Sequence, residues 1–322
     1  MQFRLVPDVT HIRFMRVRFV AMAISLTLAL ISIGALFYPG LNFGIDFKGG
    51  ILIEVRTPGP ADLASMRGTL NNLGLGEVAL QEFGEPTDVL IRVARQEGGE
   101  EAQQAAVTTI QAALDQLIDG EISYRRTEFV GPKVSEELLQ DGVLAIVLSL
   151  VAVLIYIWFR FEWQYGVGAI IALIHDVVLT IGMFAIFGFE VNLTTVAAVL
   201  TIVGYSLNDT VVIFDRVREN LRRYKAMPIA ELLDVSVNET LARTLMTSLT
   251  TLLALLSLYF FGGEVIRGFT FAMIWGVIIG TYSTIFIATP ILLMLNLRAI
   301  GARSQGARAD KVEVSGSPSV HP

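Results

Sequence analysis

Asp209 is the residue of this chain best placed to do chemistry, because it interrupts an apolar stretch in the segment VGYSLNDTVVIFDRVREN (residues 203–220). A buried carboxyl group can hold or release a proton, since burial favours its neutral form and a nearby cation favours its charged form. Arg243, which always stays charged, opens the later apolar segment ARTLMTSLTT (residues 242–251). Thr247 follows it on the same helical face as a further relay or helix-locking candidate. Asp209 and Arg243 are therefore candidates for a proton-coupling pair.

Polar side chains also surround Asp209 itself. Ser206 and Thr210 lie within one helical turn of it and are candidates for relaying protons or locking helices together. Asn208 is adjacent and is predicted to orient the carboxylate. Two plainer explanations stay open: a hydrated acid about 6 Å inside a frayed helix end, and an ordinary flanking arginine at Arg243 whose side chain reaches out of the membrane.

His175 and Asp176 lie at the middle of another apolar stretch, ALIHDVVLTIG (residues 172–182). Ionisable side chains at such depth are costly unless they are paired or hydrated. Neighbouring residues on a helix point in different directions, so these two need not pair with each other, and one of them can meet the next span. The two residues are predicted to relay protons or to lock helices.

The composition indicates that these residues lie in a membrane. With 53% apolar residues, 17% charged residues and a mean hydropathy of +0.62, the chain of 322 residues is too apolar for an ordinary soluble domain. A helix needs roughly 20 apolar residues to cross the hydrocarbon core. The predicted spans are residues 19–38, 142–159, 165–187, 191–213, 244–261 and 269–295. The fold class is thus an α-helical membrane protein with six transmembrane helices.

Basic residues predict the orientation, because cytoplasmic loops carry an excess of lysine and arginine. These residues concentrate before the first span, in the predicted loop 214–243 and after the last span. We therefore expect a cytoplasmic N-terminus (residues 1–18), a disordered cytoplasmic tail (297–322) and a five-helix membrane domain (142–296). Residues 39–141 are expected on the other side. The apolar run of the first span is long for a signal peptide, so we expect it to be retained; cleavage as a signal peptide stays an alternative.

Residues 39–141 alternate between strand and helix patterns. The predicted strands are 51–57, 77–83, 88–95 and 122–130, and the predicted helices are 61–75 and 100–118. The order β-α-β-β-α-β is that of a ferredoxin-like α+β domain. No cluster here has catalytic or metal-binding spacing and the chain has no cysteine, so we expect no enzyme activity, no metal and no cofactor.

The segment NFGIDFKGG (residues 42–50) connects the first span to this domain. Gly49 and Gly50, which follow Phe47, allow a tight turn or a close approach of two backbones. The plainest interpretation is a flexible connector in which Asp46 is solvated.

These motifs together resemble the SecF family over roughly residues 1–300. The resemblance rests on GIDFKGG, FRFEW, ALIHDVVLTIG, VGYSLNDTVVIFDRVREN and ARTLMTSLTT, which occur in the expected order and spacing. It implies an inner-membrane protein of the resistance-nodulation-division superfamily with a periplasmic ferredoxin-like domain. It also implies a proton pathway through Asp209 and Arg243, with a further acid supplied by SecD.

The resemblance also implies the partners and the role. Members of the family pair with SecD and associate with the SecYEG channel, and YajC and YidC are further implied partners. The pair assists late steps in the export of preproteins, using the proton-motive force. Membrane lipid is expected to surround the spans. Because the exported region is acidic, we expect no nucleic acid partner.

Two other functions stay open. One is half of a small-molecule/proton antiporter, although six spans and one small domain leave little room for a substrate pocket. The other is a static assembly subunit, in which Asp209 and Arg243 form a fixed lock.

Overall fold

The computed structural model describes residues 10–76, 78–263 and 266–295, so the predicted disordered tail lies outside the described residues. In chain order the elements are α1 (Arg18–Phe37), β1 (Asn42–Phe43), α2 (Ile45–Lys48), β2 (Gly50–Arg56), α3 (Leu63–Asn71), β3 (Val78–Phe83), β4 (Glu85–Val93), α4 (Gly99–Leu117), β5 (Ser123–Val130), α5 (Pro132–Arg160), α6 (Trp163–Phe187), β6 (Glu190–Val191), α7 (Leu193–Arg223), α8 (Ile229–Phe261), α9 (Arg267–Ser283), a π-helical turn (Thr284–Ala288) and α10 (Thr289–Met294).

The chain is a multi-pass membrane protein, because six of its described helices are long and apolar enough to cross a membrane. Helices α6, α7 and α9–α10 are the most buried and form the centre of the membrane domain. Helices α1, α5 and α8 lie around this centre and expose most of their apolar side chains. We call the side where α1 ends and α5 begins the domain side, since the inserted domain (residues 50–130) lies there.

Small residues on α9 let it approach α7 closely. Gly276 lies against Ile202, so that a side chain at position 276 would overlap with the isoleucine. One turn later, Gly280 lies against Ser206, whose Cβ would be 3.0 Å from a Cβ added to the glycine. Stripes of this kind are typical of close helix contacts in membranes.

The charged segment 214–243 is mostly helical, which corrects the predicted loop. Helix α7 continues to Arg223 and α8 begins at Ile229, so only a short turn separates them. Hydropathy marks where a helix leaves the membrane but not where its hydrogen bonds end. The first turns of α8 also contact the chain that precedes α1. There the backbone amide of Met15 donates to the carboxylate of Asp234 at 2.8 Å.

The inserted domain has the predicted ferredoxin-like fold. Its antiparallel sheet has the strand order β3-β4-β2-β5, and α3 and α4 pack their apolar residues against it. Asp62 caps α3 by accepting from the amides of Ala64 and Ser65, both at 3.1 Å. The predicted turn at 84–87 is shorter in the structure, since β4 already begins at Glu85.

Gly49 and Gly50 allow the close backbone approach that the sequence predicts. Both have positive φ, of 70° and 130°, a region that side chains disfavour. A Cβ at Gly50 would lie 2.6 Å from the carbonyl oxygen of Val93, and one at Gly49 would lie 3.1 Å from that of Val130. The two glycines therefore place β2 between β4 and β5.

Candidate functional site

Asp209 lies on the buried face of α7, with 4% of its surface exposed. Within the described residues its carboxylate has no hydrogen-bond partner and no ion-pair partner within 4.0 Å. Its helix is regular on both sides, since α7 runs from Leu193 to Arg223 without a break. The acid is therefore held inside the protein rather than at a frayed helix end.

Arg243 lies on α8 and is exposed in this chain. It forms no ion pair with Asp209 within 4.0 Å, but opposite charges still attract each other more weakly at a longer distance. Thr247 donates to its own helix, at 3.1 Å to the carbonyl of Arg243 and 2.9 Å to that of Thr244. The attraction between Asp209 and Arg243 is thus a long-range one, and no hydroxyl of this face bridges the two.

Asn208 points away from Asp209. Its side chain is exposed, as is Gly204 one turn earlier, and it makes no described hydrogen bond with the carboxylate. The structure therefore gives no contact for the orienting role predicted for Asn208. The two residues instead mark an exposed face of α7.

Asp176 joins three central helices. Its Oδ2 accepts a hydrogen bond from Ser206 of α7 at 2.6 Å and another from Ser283 of α9 at 2.8 Å. Its Oδ1 lies 3.0 Å from Nδ1 of His175, so the two neighbours on α6 do pair. Only 1% of Asp176 is exposed. Of the two neighbours, Asp176 is therefore the one that contacts the next membrane span, α7, through Ser206.

His175 extends this cluster to α1. Its ring stacks on Tyr282, with ring centroids 6.5 Å apart, and its buried Nε2 has no hydrogen-bond partner in the part of the chain that the structure describes. The hydroxyl of Tyr282 accepts from Ser25 at 3.0 Å and donates to the carbonyl of Ala21 at 2.9 Å, both on α1. One hydrogen-bonded and stacked cluster therefore connects α1, α6, α7 and α9.

Thr210 makes a direct side-chain hydrogen bond between α7 and the last span. Its hydroxyl lies 2.8 Å from that of Thr284, the first residue of the π-helical turn. Thr289 donates to the carbonyl of Thr284 at 2.9 Å, across that turn. Single π-helical turns within α-helices are frequent at functional sites. This irregular turn lies beside the part of α7 that carries Asp209.

The connecting segment 42–50 is ordered by contacts with the start of α7, which corrects its interpretation as a flexible connector. Strand β1 pairs with β6, which precedes α7. Asp46 is not simply solvated, because its carboxylate accepts from the backbone amide of Leu193 at 2.9 Å. Phe47 is buried against Phe43 and borders an apolar cavity between α5, α6 and α7.

Sequence reasoning missed Ser283, Tyr282, Arg92 and Glu190. Each has a partner about a hundred or more residues away or on another helix, so no local spacing indicates it. A weak signal existed for Ser283, since it lies seven residues after Gly276 and therefore on the small-residue face of α9.

Two sequence families match this chain. The family described as "Protein export membrane protein SecD/SecF, C-terminal" matches residues 109–298, and the "SecD/SecF GG Motif" matches residues 34–57. The second range includes Gly49 and Gly50. The described membrane helices after the inserted domain all fall within the first range.

Related proteins match over most of the chain. "Protein translocase subunit SecF" of Rickettsia akari is 48% identical over 291 residues, which is 90% of this chain and 94% of that protein. "Protein translocase subunit SecDF" of Brucella abortus is 45% identical and matches 92% of this chain but 39% of that protein. The crystal structure of SecDF from Thermus thermophilus matches with a TM-score of 0.80 and 34% identity, over 90% of this chain and 39% of the SecDF chain. The chain therefore spans 39% of each of these two SecDF proteins.

Proposed function

The chain belongs to the SecD/SecF family of protein export membrane proteins, and we propose that it couples the proton-motive force to Sec-dependent export. In this proposal it acts with SecD at a late step of preprotein translocation across the inner membrane. Both termini lie in the cytoplasm and the inserted domain lies in the periplasm.

The burial of Asp209 without an ion-pair partner carries the proposal. An ionisable side chain inside a membrane domain is costly, and one that is not fixed by a salt bridge can change its charge when a proton arrives. Moving one charge through about 100 mV is worth about 2.3 kcal/mol, which biases a two-state equilibrium about fifty-fold. Export of one preprotein therefore requires several protons.

Protonation of Asp209 removes its attraction to Arg243, so α7 and α8 can shift relative to each other. Helix α7 transmits that shift, because it runs unbroken from Asp209 to Leu193 on the domain side. There it contacts the connecting segment of the inserted domain through Asp46. The inserted domain is then positioned to hold or release an emerging preprotein.

SecD is the proposed partner of the exposed faces of α7 and α8. Asn208 is exposed in this chain although it lies within the predicted span 191–213, where polar side chains are normally covered. Gly204 of α7 and Arg243 of α8 are exposed as well. The matched SecDF proteins are more than twice as long as this chain, which supports a second membrane half as the cover. SecYEG, YajC and YidC are proposed to associate with the assembled pair.

A static assembly subunit is the second candidate function. The hydrogen bonds that Asp176 accepts from two helices favour it, because such bonds hold spans in fixed positions. In that case, Asp209 would also be a fixed structural group, and its charge would not change during export.

Replacing Asp209 with Asn separates these functions. The matched control is Asp215→Asn, since Asp215 is an acid on the same helix that pairs at the surface with Arg160, at 2.8 Å. Both variants are reconstituted with SecD and SecYEG in vesicles, where proton conduction, gradient-stimulated export and recovery of the complex are measured.

We expect Asp209→Asn to assemble normally but to lose proton conduction and gradient-stimulated export, while Asp215→Asn keeps both. If Asp209→Asn keeps both activities, the proposal is wrong. If it fails only to assemble, the static assembly subunit is the better explanation.

A further inference from the structure

Helix α7 carries Asp209, but no covalent connection joins it directly to the inserted domain. The domain is attached in sequence to α1 and α5, and neither of these helices carries the proposed proton site. Any movement of α7 must therefore reach the domain through non-covalent contacts. The described contacts of this kind converge on the start of α7.

The connecting segment binds the start of α7 through its backbone and one carboxylate. Gly44 donates its amide to the carbonyl of Val191 at 2.9 Å, beside the parallel pairing of β1 and β6. Asp46 accepts from the amide of Leu193, where a negative charge is stabilised by the unpaired amides and the dipole of the helix. The first turn of α7 is thus fixed to the segment that leads into β2.

Glu190 extends this attachment into the sheet of the inserted domain. Its carboxylate lies against Gly44, where a side chain would overlap with it, and forms an ion pair with Arg92 of β4. The exposed fractions of the two side chains are 19% for Arg92 and 22% for Glu190. Burial lowers the pKa of the Arg92 guanidinium, and its Nε has no hydrogen-bond partner among the described residues. Either charge left alone here would be poorly solvated.

We propose that Glu190, Arg92 and Asp46 form a coupling bridge through which a shift of α7 moves the inserted domain. The inference rests on the proposed function, because it takes the change of charge at Asp209 as its input. Glu190 is the centre of the bridge, since it lies three residues before the first residue of α7, pairs with β1 as part of β6 and reaches Arg92 of β4. None of the three residues binds the proton, and all three act by position.

A charge swap tests the bridge. The variants are Arg92→Glu, Glu190→Arg and the double variant, in the complex with SecD and SecYEG. The control is the corresponding swap of Arg126 and Glu128, which form an ion pair of 2.5 Å within β5 and make no described contact with α7. Glu190→Gln preserves the shape of the side chain if the larger substitutions reduce assembly.

We expect each single variant, and Glu190→Gln, to conduct protons but to lose most gradient-stimulated export. The double variant should recover it, and the control swap should have no effect. A second measurement follows the domain itself: because the chain has no cysteine, single cysteines in β5 and α7 can carry spin labels. Their distance should change with the gradient in the native chain and in the double variant, but not in the single variants.

The bridge is refuted if the single variants keep full gradient-stimulated export. It is also refuted if they lose it and the double variant, correctly assembled, does not recover either export or the distance change. Failure of the proposed function is distinguishable, because it is seen as retained proton conduction and retained stimulation in Asp209→Asn. Even with that result, recovery of export in the Arg92→Glu, Glu190→Arg double variant still tests the bridge by itself.

Discussion

Asp176 holds the central helices together by hydrogen bonding, and this role predicts how its substitutions differ. Interhelical hydrogen bonds in membranes contribute about 0.6 kcal/mol on average and up to about 1.7 kcal/mol. Ser206→Ala and Ser283→Ala each remove one such bond and should lower the free energy of unfolding by that amount. Asp176→Ala removes the acceptor of both serines and the partner of His175. Because each buried polar group left unpaired costs about 1–3 kcal/mol, we expect a loss of about 3–5 kcal/mol.

Asp176→Asn should behave differently. The amide oxygen can occupy the position of Oδ2 and accept from both serines, and the amide nitrogen can donate to Nδ1 of His175. We therefore expect a loss within about 1.7 kcal/mol. Gradient-stimulated export should be nearly unchanged, in contrast to Asp209→Asn.

Equilibrium unfolding in mixed micelles measures these differences, with Ser257→Ala as the control. Ser257 donates only to the carbonyl of Leu253 in its own helix and is exposed, so its loss should be close to zero. The reasoning is refuted if Asp176→Ala is no less stable than this control. It is equally refuted if Asp176→Asn is stable but inactive in export, since Asp176 would then relay protons rather than lock helices.

Two further predictions concern packing and acid stability. Gly276→Ala should lower the free energy of unfolding by about 1–2 kcal/mol, because the added methyl overlaps with Ile202. Its control is Gly204→Ala, which should be neutral or slightly stabilising in the isolated chain because there is open space around Gly204. Equal losses of stability in the two variants would contradict the packing of α9 on α7. Hydrogen bonds from Arg56, one of them at 2.5 Å, hold the pKa of Asp88 below its usual range. The stabilisation is therefore complete above the ordinary carboxyl pKa of about 4 and is lost as the pH falls through the lower, folded-state value. Hydrogen exchange in β2 and β4 should show that the stability of the native domain falls more steeply in acid than the stability of the Asp88→Asn domain. Parallel pH profiles for the two proteins would contradict this.

The spans and the inserted domain could be predicted because both depend on local pattern. Apolar length alone identifies helices such as α6, and alternating or helical periodicity identifies the order β-α-β-β-α-β. The helix ends were less predictable. Helix α7 continues to Arg223 through charged residues, because helical hydrogen bonding does not stop where hydropathy falls.

The candidate site was predicted in part, since a local pattern shows which residues share a helical face but not how that face is rotated toward its neighbours. Asp209 is on the buried face of α7, whereas Asn208, one position earlier, is on the exposed one. The partners of Asp176 could not be read from the sequence, because Ser283 is 107 residues away. Arg92 and Glu190 likewise look like ordinary surface charges until the fold brings them together.

A change of protonation at Asp209 during export is the central claim, and infrared difference spectroscopy measures it most directly. Vesicles containing the complex are compared with and without a proton gradient, in the native chain, in Asp209→Asn and in Asp215→Asn. We predict a protonated-carboxyl band that changes with the gradient in the native chain and in Asp215→Asn and is absent from Asp209→Asn. A band that persists unchanged in Asp209→Asn, or no gradient-dependent band in the native chain, would contradict the account.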